Sequence, residues 1–262
     1  MVGRVTSSAA SPLTELPAWV TMVRAANPGP MTLDGTNSWV LRAPGADACL
    51  VVDPGPLDEA HLAAVAAHGP VAAVLLTHGH PDHREGLARF QEITGAPLVE
   101  ATDPAGTGVR LARLATPGHT SDSVCFVAEC AGERAVLTGD TILGRGTTVV
   151  AHPDGDLGDY LTSLRRLIKV GPLPVLPGHG PPLRDCAAAA TFYLEHRLAR
   201  LDQIRTARAA GAEDAAAVVA TVYADVERAL WPAATSSVEA QLAYLDREAG
   251  ESGSAAERLE SP

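Results

Sequence analysis

The sequence predicts an α+β protein, a strand-rich body followed by a helical appendage. Three observations carry this expectation. Residues 37–185 alternate short β-rich runs with Gly/Pro turn signals, interleaved with three helical stretches. Four of the β-rich runs stop abruptly at a glycine accompanied by histidine or aspartate. From Ala187 onward helical periodicity takes over.

In chain order, residues 1–18 are rich in Ser, Ala and Pro and are expected to be loose. Residues 19–185 form the body. Its expected strands are 38–43, 49–53, 72–78, 96–101, 109–116, 123–129, 135–140 and 173–179, each a β-branched or apolar run bounded by turn residues. Its expected helices are 57–68, 83–94 and 156–169, where apolar residues recur at helical spacing. Residues 186–249 form the appendage, with helices over 187–210, 213–226 and 236–249, the first ended by Gly211. The tail 250–262, GESGSAAERLESP, is expected to be disordered. No internal repeat is visible.

Composition narrows the function. The 262 residues are 46% hydrophobic, enough for a substantial core, and carry a net charge of −11. That acidity argues against a broad footprint for DNA or for an anionic membrane. No apolar run approaches the roughly 18 residues that a membrane span needs. The N-terminal stretch lacks the apolar core of a secretory signal. The four cysteines show no CxxC pairing, as expected of reduced thiols in a cytoplasmic protein.

The chemistry concentrates where strands end. AAVLL runs into THGHPDH (77–83), VRLARLAT into PGHT (117–120), AVL into TGDT (138–141) and LPVL into PGHG (177–180). A sheet presenting these ends on one edge would gather His78, His80, Asp82, His83, His119, Asp140 and His179. Five imidazoles and two carboxylates suit two neighbouring divalent ions with mixed nitrogen and oxygen ligands. Asp140, with two oxygens, is able to bridge. A bridged pair holds a hydroxide at neutral pH that attacks carbonyl or phosphorus.

This constellation resembles the metallo-β-lactamase superfamily over about residues 20–185. The resemblance implies a four-layer αββα sandwich with the site on one edge. It also implies a first ion on His78, His80 and His119, a second on Asp82, His83 and His179, and Asp140 between them. A histidine at position 80, where diiron flavoproteins carry Glu, points to two zinc ions; spacing alone leaves iron and manganese open, and a mononuclear-iron persulfide dioxygenase shares the THxHxDH pattern. Asp140 points away from the true β-lactamases and towards thioesterases, phosphodiesterases and nucleases. No insertion of the kinds used by dedicated tRNA or mRNA processing enzymes is present.

Further phrases, NPGPMTLDGTNSW (27–39), TPGHTSDS (116–123), GDTILGRGTTV (139–149), DYLTSL (159–164) and LPGHGP (176–181), are similar to the β-lactamase-like protein 2 group. That group implies a C-terminal winged-helix-like domain, here 186–249, although no apolar hairpin for a wing follows Ala249. It implies two alternatives: hydrolysis of an ester or thioester of a small acyl substrate, or single-strand-specific cleavage of RNA. Residues 186–262 hold seven Arg and no Lys against twelve Asp plus Glu, a net −5, and this disfavours nucleic acid. Arg197, Arg200, Arg205 and Arg208 share one helical arc with Leu201 and Ile204, which reads as stems packing over a core edge.

Within the implied site Asp82 orients a metal and relays the proton. Thr36 and Asn37 either line the substrate or fix their loop. Thr120 either supports the ligands or shapes a turn, and Tyr160 either donates to substrate or packs. His61, His68, His152 and His196 receive no role. The run HPDGDLGD (152–159) lacks the spacing of a calcium loop.

Overall fold

The structure, a computed structural model, describes residues 11–100, 106–150 and 152–259, with residues 251–259 described as backbone alone. Two four-stranded mixed sheets form its centre. The first contains β1 (Val20–Arg24), β2 (Asn37–Leu41), β3 (Cys49–Val52) and β4 (Val71–Leu75), in that order. The second contains β5 (Arg110–Ala115), β6 (Val124–Cys130), β7 (Glu133–Gly139) and β8 (Val175–Pro177), likewise in order. In each sheet two antiparallel pairings are followed by a parallel one. A parallel pairing needs a crossover. Helix α1 (Glu59–Ala66) supplies it in the first sheet and α4 (Leu157–Val170) in the second. The halves thus share one topology, invisible in the sequence because it is carried by element order.

Strand alternation builds the layers. Trp39, Leu41, Leu50, Val52 and Leu75 point between the sheets, where they meet Phe126, Ala128, Leu137 and Leu176. Val40, Val51 and Val74 point outward onto α1 and α3 (Leu87–Thr94) through Leu62, Val65 and Phe90. On the other outer face Cys125, Val136 and Val175 meet Tyr160 and Leu164 of α4 and Ala189 and Tyr193 of α5 (Cys186–Ala209). The expected αββα sandwich is therefore observed. Strands β3 and β8 read as continuous apolar runs because both faces are buried.

Aspartates start the helices. Asp58, Asp156, Asp185 and Asp214 each accept a backbone N–H three residues on, at the heads of α1, α4, α5 and α6 (Ala215–Val222). A 3-10 turn (Arg228–Leu230) leads into α7 (Trp231–Leu259). Among the described residues the appendage has no strand pair for a wing, and no helix is long and apolar enough to cross a membrane.

Several expectations change. The helix expected over 83–94 is two, α2 (Pro81–Arg84) and α3, parted at Gly86. Gly86 lies so close to the 55–56 backbone that a Cβ there would sit 2.7 Å from the Pro56 carbonyl oxygen. The strand expected at 96–101 is a single bridge, Leu98 to Val74, and residue 101 falls outside the described residues. Strand β1 was not expected, because its exposed Thr21 and Arg24 hide the pattern of a short edge strand. Of the segment expected to be loose, residues 1–10 lie outside the described residues. From Ser11 the chain is held on 182–184 through Leu13 N–H to Pro182 O and Arg184 N–H to Ser11 O. Helix α7 takes in part of the expected tail. Helix α5, assigned to the appendage, shares one core with α4 and the second sheet and so completes the fourth layer.

Candidate metal centre

The four ligand segments meet at one edge. His78 and His80 follow β4, and Asp82 and His83 lie on α2. His119 lies in the β5–β6 connection, Asp140 follows β7, and His179 follows β8. They form two ligand sets: His78, His80, His119 and Asp140, and beside them Asp82, His83 and His179.

The spacings show what the sets could hold. In the first, Nδ1 of His80 lies 3.0 Å from Nε2 of His78 and 3.1 Å from Nε2 of His119. In the second, His83 Nε2, His179 Nε2 and Asp82 Oδ2 make a triangle with sides of 3.2, 3.3 and 3.4 Å. Asp140 reaches the second set through Oδ1, 3.4 Å from His83 Nε2, and Oδ2, 3.3 Å from His179 Nε2. Tetrahedral ligands at metal–nitrogen distances of about 2.0–2.1 Å stand about 3.3 Å apart, the size of this triangle. Asp140 Oδ1 is buried with no hydrogen-bond partner. A buried carboxylate oxygen left bare is costly unless a cation faces it. The donor set and spacing fit divalent metal ions.

The rear nitrogens explain why the rings aim inward. His78 Nδ1 is 3.0 Å from Thr77 Oγ1, whose hydroxyl donates to Asp53 at 2.7 Å. His83 Nδ1 donates to Asp53 Oδ2 at 2.9 Å, His179 Nδ1 to the Gly35 carbonyl at 3.2 Å, and His119 Nδ1 to the Val149 carbonyl. Each of these four rings therefore turns its Nε2 into the centre, as a lone pair wherever the ring is neutral. Sequence reasoning missed Asp53. An aspartate between an apolar strand and Pro-Gly reads as a turn, and its partners lie 24 and 30 residues away. Asn fits the backbone of Asp53, whose φ is 56°. Asp53→Asn replaces an acceptor with a donor against Thr77 and His83. It is expected to lower metal affinity roughly 10- to 100-fold, read by chelator competition.

Electrostatics point the same way. Burial works against charge on His179, but its hydrogen bonds to Asp140 and Asp82 outweigh burial and raise it to about 9. Burial likewise opposes charge on His83, yet Asp140 and Asp53 hold it well above the imidazole range. Burial would raise both carboxylates. For Asp82 the hydrogen bond from His179 prevails, and for Asp140 the charge of His83, and each ends below its ordinary range. Burial drives His78 well down, reinforced by His83. The centre thus calls for positive charge on the His83–His179 side, as protons or as an ion. At pH 7 His179 carries a proton that an ion must displace. Metal uptake is expected to release protons at pH 7, and apparent affinity to rise with pH and level off only above about 9, where His179 loses its proton without the ion. Calorimetric titration in buffers of different ionisation enthalpy measures this; heats independent of buffer at pH 7 would contradict it.

The residues considered for substrate behave differently. Thr36 is fully buried and donates to Asp82 Oδ2 at 2.8 Å while receiving Asn27 at 3.0 Å. Asn37, also fully buried, donates to the carbonyls of Pro177 and Gly180 at 3.0 and 2.9 Å. Both fix their loop against β8 and the second ligand set. Thr120 bonds Asp122 and Ser123, at 2.7 Å each, and shapes a turn. Tyr160 is buried, with its hydroxyl on the Thr141 carbonyl at 2.7 Å, and packs. His61 is buried against Ser38 rather than on a surface. In 152–159, Asp154 bonds Ser121 and Asp156 caps α4 and pairs with Arg247, which accounts for both without calcium. The arginine arc divides: Arg205 and Arg208 pair with acidic residues, Arg200 lies over Tyr223, and Arg197 is buried.

A sandwich with this edge-on histidine and aspartate cluster belongs to a known class. The model of the metallo-β-lactamase superfamily matches residues 31–107 and 102–179, and the chain belongs to that superfamily, whose members are generally hydrolases. The model of the β-lactamase-associated winged-helix domain matches residues 215–249, which here span α6, the 3-10 turn and the first part of α7. Along most of its length the chain is similar to a β-lactamase-like protein 2 homolog of Drosophila melanogaster, 30% identical over 276 residues, 90% of each chain. It is also similar to an atrochrysone carboxyl ACP thioesterase of Aspergillus fumigatus, 32% identical over 207 residues, covering 71% of this chain and 63% of the relative. A metallo-β-lactamase family protein from Thermus thermophilus shares the fold, with a TM-score of 0.72, 22% identity and coverage of 90% and 95%.

Proposed function

We propose that the chain is a dinuclear zinc hydrolase acting on an ester or thioester of a small acyl substrate. The observation that carries this is the pair of ligand sets sharing Asp140. Five imidazoles and two carboxylates at these spacings are the donor mixture that zinc takes. His78, His80 and His119 would hold one ion and Asp82, His83 and His179 the other, with Asp140 facing both. When bound, the ions supply a Lewis acid and water acidified to a near-neutral pKa. The protein's own residues do the rest. Asp82 is the most exposed carboxylate of the centre, at 24%. Thr36 holds its Oδ2, and its Oδ1 takes no protein partner among the described residues. Asp82 is therefore placed to receive the proton of the attacking water and return it to the leaving group. Burial of His78, His83, His119, Asp140 and His179 fixes their geometry before substrate arrives.

The thioester class is supported by the similarity to a protein named a thioesterase. The second reading, single-strand-specific RNA cleavage, draws on the similarity to the β-lactamase-like protein 2 homolog across nearly the full length. The net −5 of residues 186–262 and the acidic partners of Arg205 and Arg208 weigh against RNA. Purified wild type and His80→Ala, assayed on an acyl N-acetylcysteamine thioester and a fluorogenic single-stranded RNA, separate the two. The proposal expects thioester turnover by wild type, lost in the variant. RNA cleavage without thioester turnover would transfer the assignment to the second reading. Activity untouched by the substitution would overturn both.

A further inference from the structure

Arg197 on α5 is a buried cation, 3% exposed, with no carboxylate partner among the described residues. One guanidinium nitrogen donates to the Thr148 carbonyl, while Nε has no hydrogen-bond partner. Its guanidinium carbon lies 5.4 Å from the centroid of the Tyr160 ring. Burying an unpaired charge opposes folding, and an apolar side chain of the same length would fill the volume without that penalty. What the charge does instead follows from the segment it meets.

The 140–150 segment carries Asp140 at its start and, near its end, two groups that face the rear of His119. The Val149 carbonyl accepts from His119 Nδ1, and Thr148 Oγ1 lies 3.2 Å from the same nitrogen. Arg197 grips the segment at Thr148. Tyr160, beneath the guanidinium, holds Thr141 at 2.7 Å. Tyr193, one turn before Arg197 on the same face of α5, receives the Leu143 N–H at 3.0 Å and donates to the Leu143 carbonyl at 3.3 Å. Three side chains from the outer helices thus seat the segment that sets both Asp140 and the ring of His119.

We propose that Arg197 is a positioning residue of the metal centre, fixing Thr148–Val149 from α5 and so the ring orientation of His119. This rests on the reading that His78, His80, His119 and Asp140 hold an ion, but the orientation of His119 can be read without one. Three variants test it: Arg197→Met, Arg197→Lys, and Leu201→Ala, a cavity in the same core one turn further along α5. The first readout is the His119 Nδ1–H signal in the imidazole 15N–1H spectrum of metal-free protein. The second is zinc affinity by chelator competition. Arg197→Met is expected to shift or broaden the signal and to lower affinity at one site roughly 10- to 100-fold, with a smaller change in Arg197→Lys. Leu201→Ala is expected to lower the melting temperature and leave both readouts alone. Wild-type signal and affinity in the Arg197 variants would overturn the proposal, as would an equal loss in Leu201→Ala. If Arg197→Met does not fold, Arg197→Lys decides alone. A shifted signal in a protein that binds no zinc would uphold the positioning role and sink the zinc assignment instead.

Discussion

Asp140→Asn is expected to lower hydrolytic turnover by about 10³ or more, because metal chemistry of this kind supplies several kcal/mol and each 1.4 kcal/mol or so is tenfold. The carboxylate lies against both ligand sets, 3.4 Å from His83, 3.3 Å from His179 and 3.8 Å from His119. Asn keeps the shape but gives up the charge, and one of its two positions becomes a donor aimed at nitrogens whose lone pairs already point inward. The metal-free variant should melt below the parent at pH 7, since the charge of Asp140 supports protonated His83 and His179 there. Steady-state kinetics with metal content measured on the same sample checks this. A variant with two ions per chain and wild-type turnover would show that Asp140 is not part of the chemistry.

Gly178→Ala is expected to be nearly as damaging, although Gly178 is not a ligand. A Cβ there would lie 2.4 Å from Asp140 Oδ1 and 2.6 Å from His83 Cε1. The backbone cannot retreat easily, because the Gly178 N–H donates to Gly139 O at 2.8 Å and its carbonyl accepts the Asn37 N–H at 2.7 Å. The methyl must therefore push both ligands about 1 Å to reach ordinary contact distance. A displacement of that size costs about 10² in rate when it falls on reacting groups. Chelator competition and turnover should fall together, with far-ultraviolet circular dichroism unchanged. Wild-type affinity would mean that the strand end shifts as a unit, and that the tightness of this contact has no bearing on the centre.

The seven residues of the centre were legible because each lies in a segment that follows β4, β5, β7 or β8, and the ends of these strands collect at one edge. THGHPDH alone carries four of them. Less legible were the residues behind the ligands. Asp53 looks like part of a turn until its contacts with Thr77 and His83 are seen. Thr36 and Asn37 read equally as substrate-facing and as loop-fixing, because their partners, Asp82 and the Pro177 and Gly180 carbonyls, lie far along the chain. Arg197 falls on the same helical arc as Leu201 and Ile204, so periodicity marks it as core-facing without saying what its charge meets. The boundary near Cys186 was drawn where periodicity changes. The packing shows no break there, since α5 shares one core with α4 and the second sheet. Patterns of two or 3.6 residues report local structure, while these features depend on contacts across 24 to 143 residues.

The central claim is that two ligand sets sharing Asp140 each hold a divalent ion. Elemental analysis of purified wild-type protein tests it most directly. About two zinc ions per chain, falling in His80→Ala and in Asp82→Ala, is the predicted result. A single iron per chain, or no bound metal after incubation with zinc at pH 8, would contradict it.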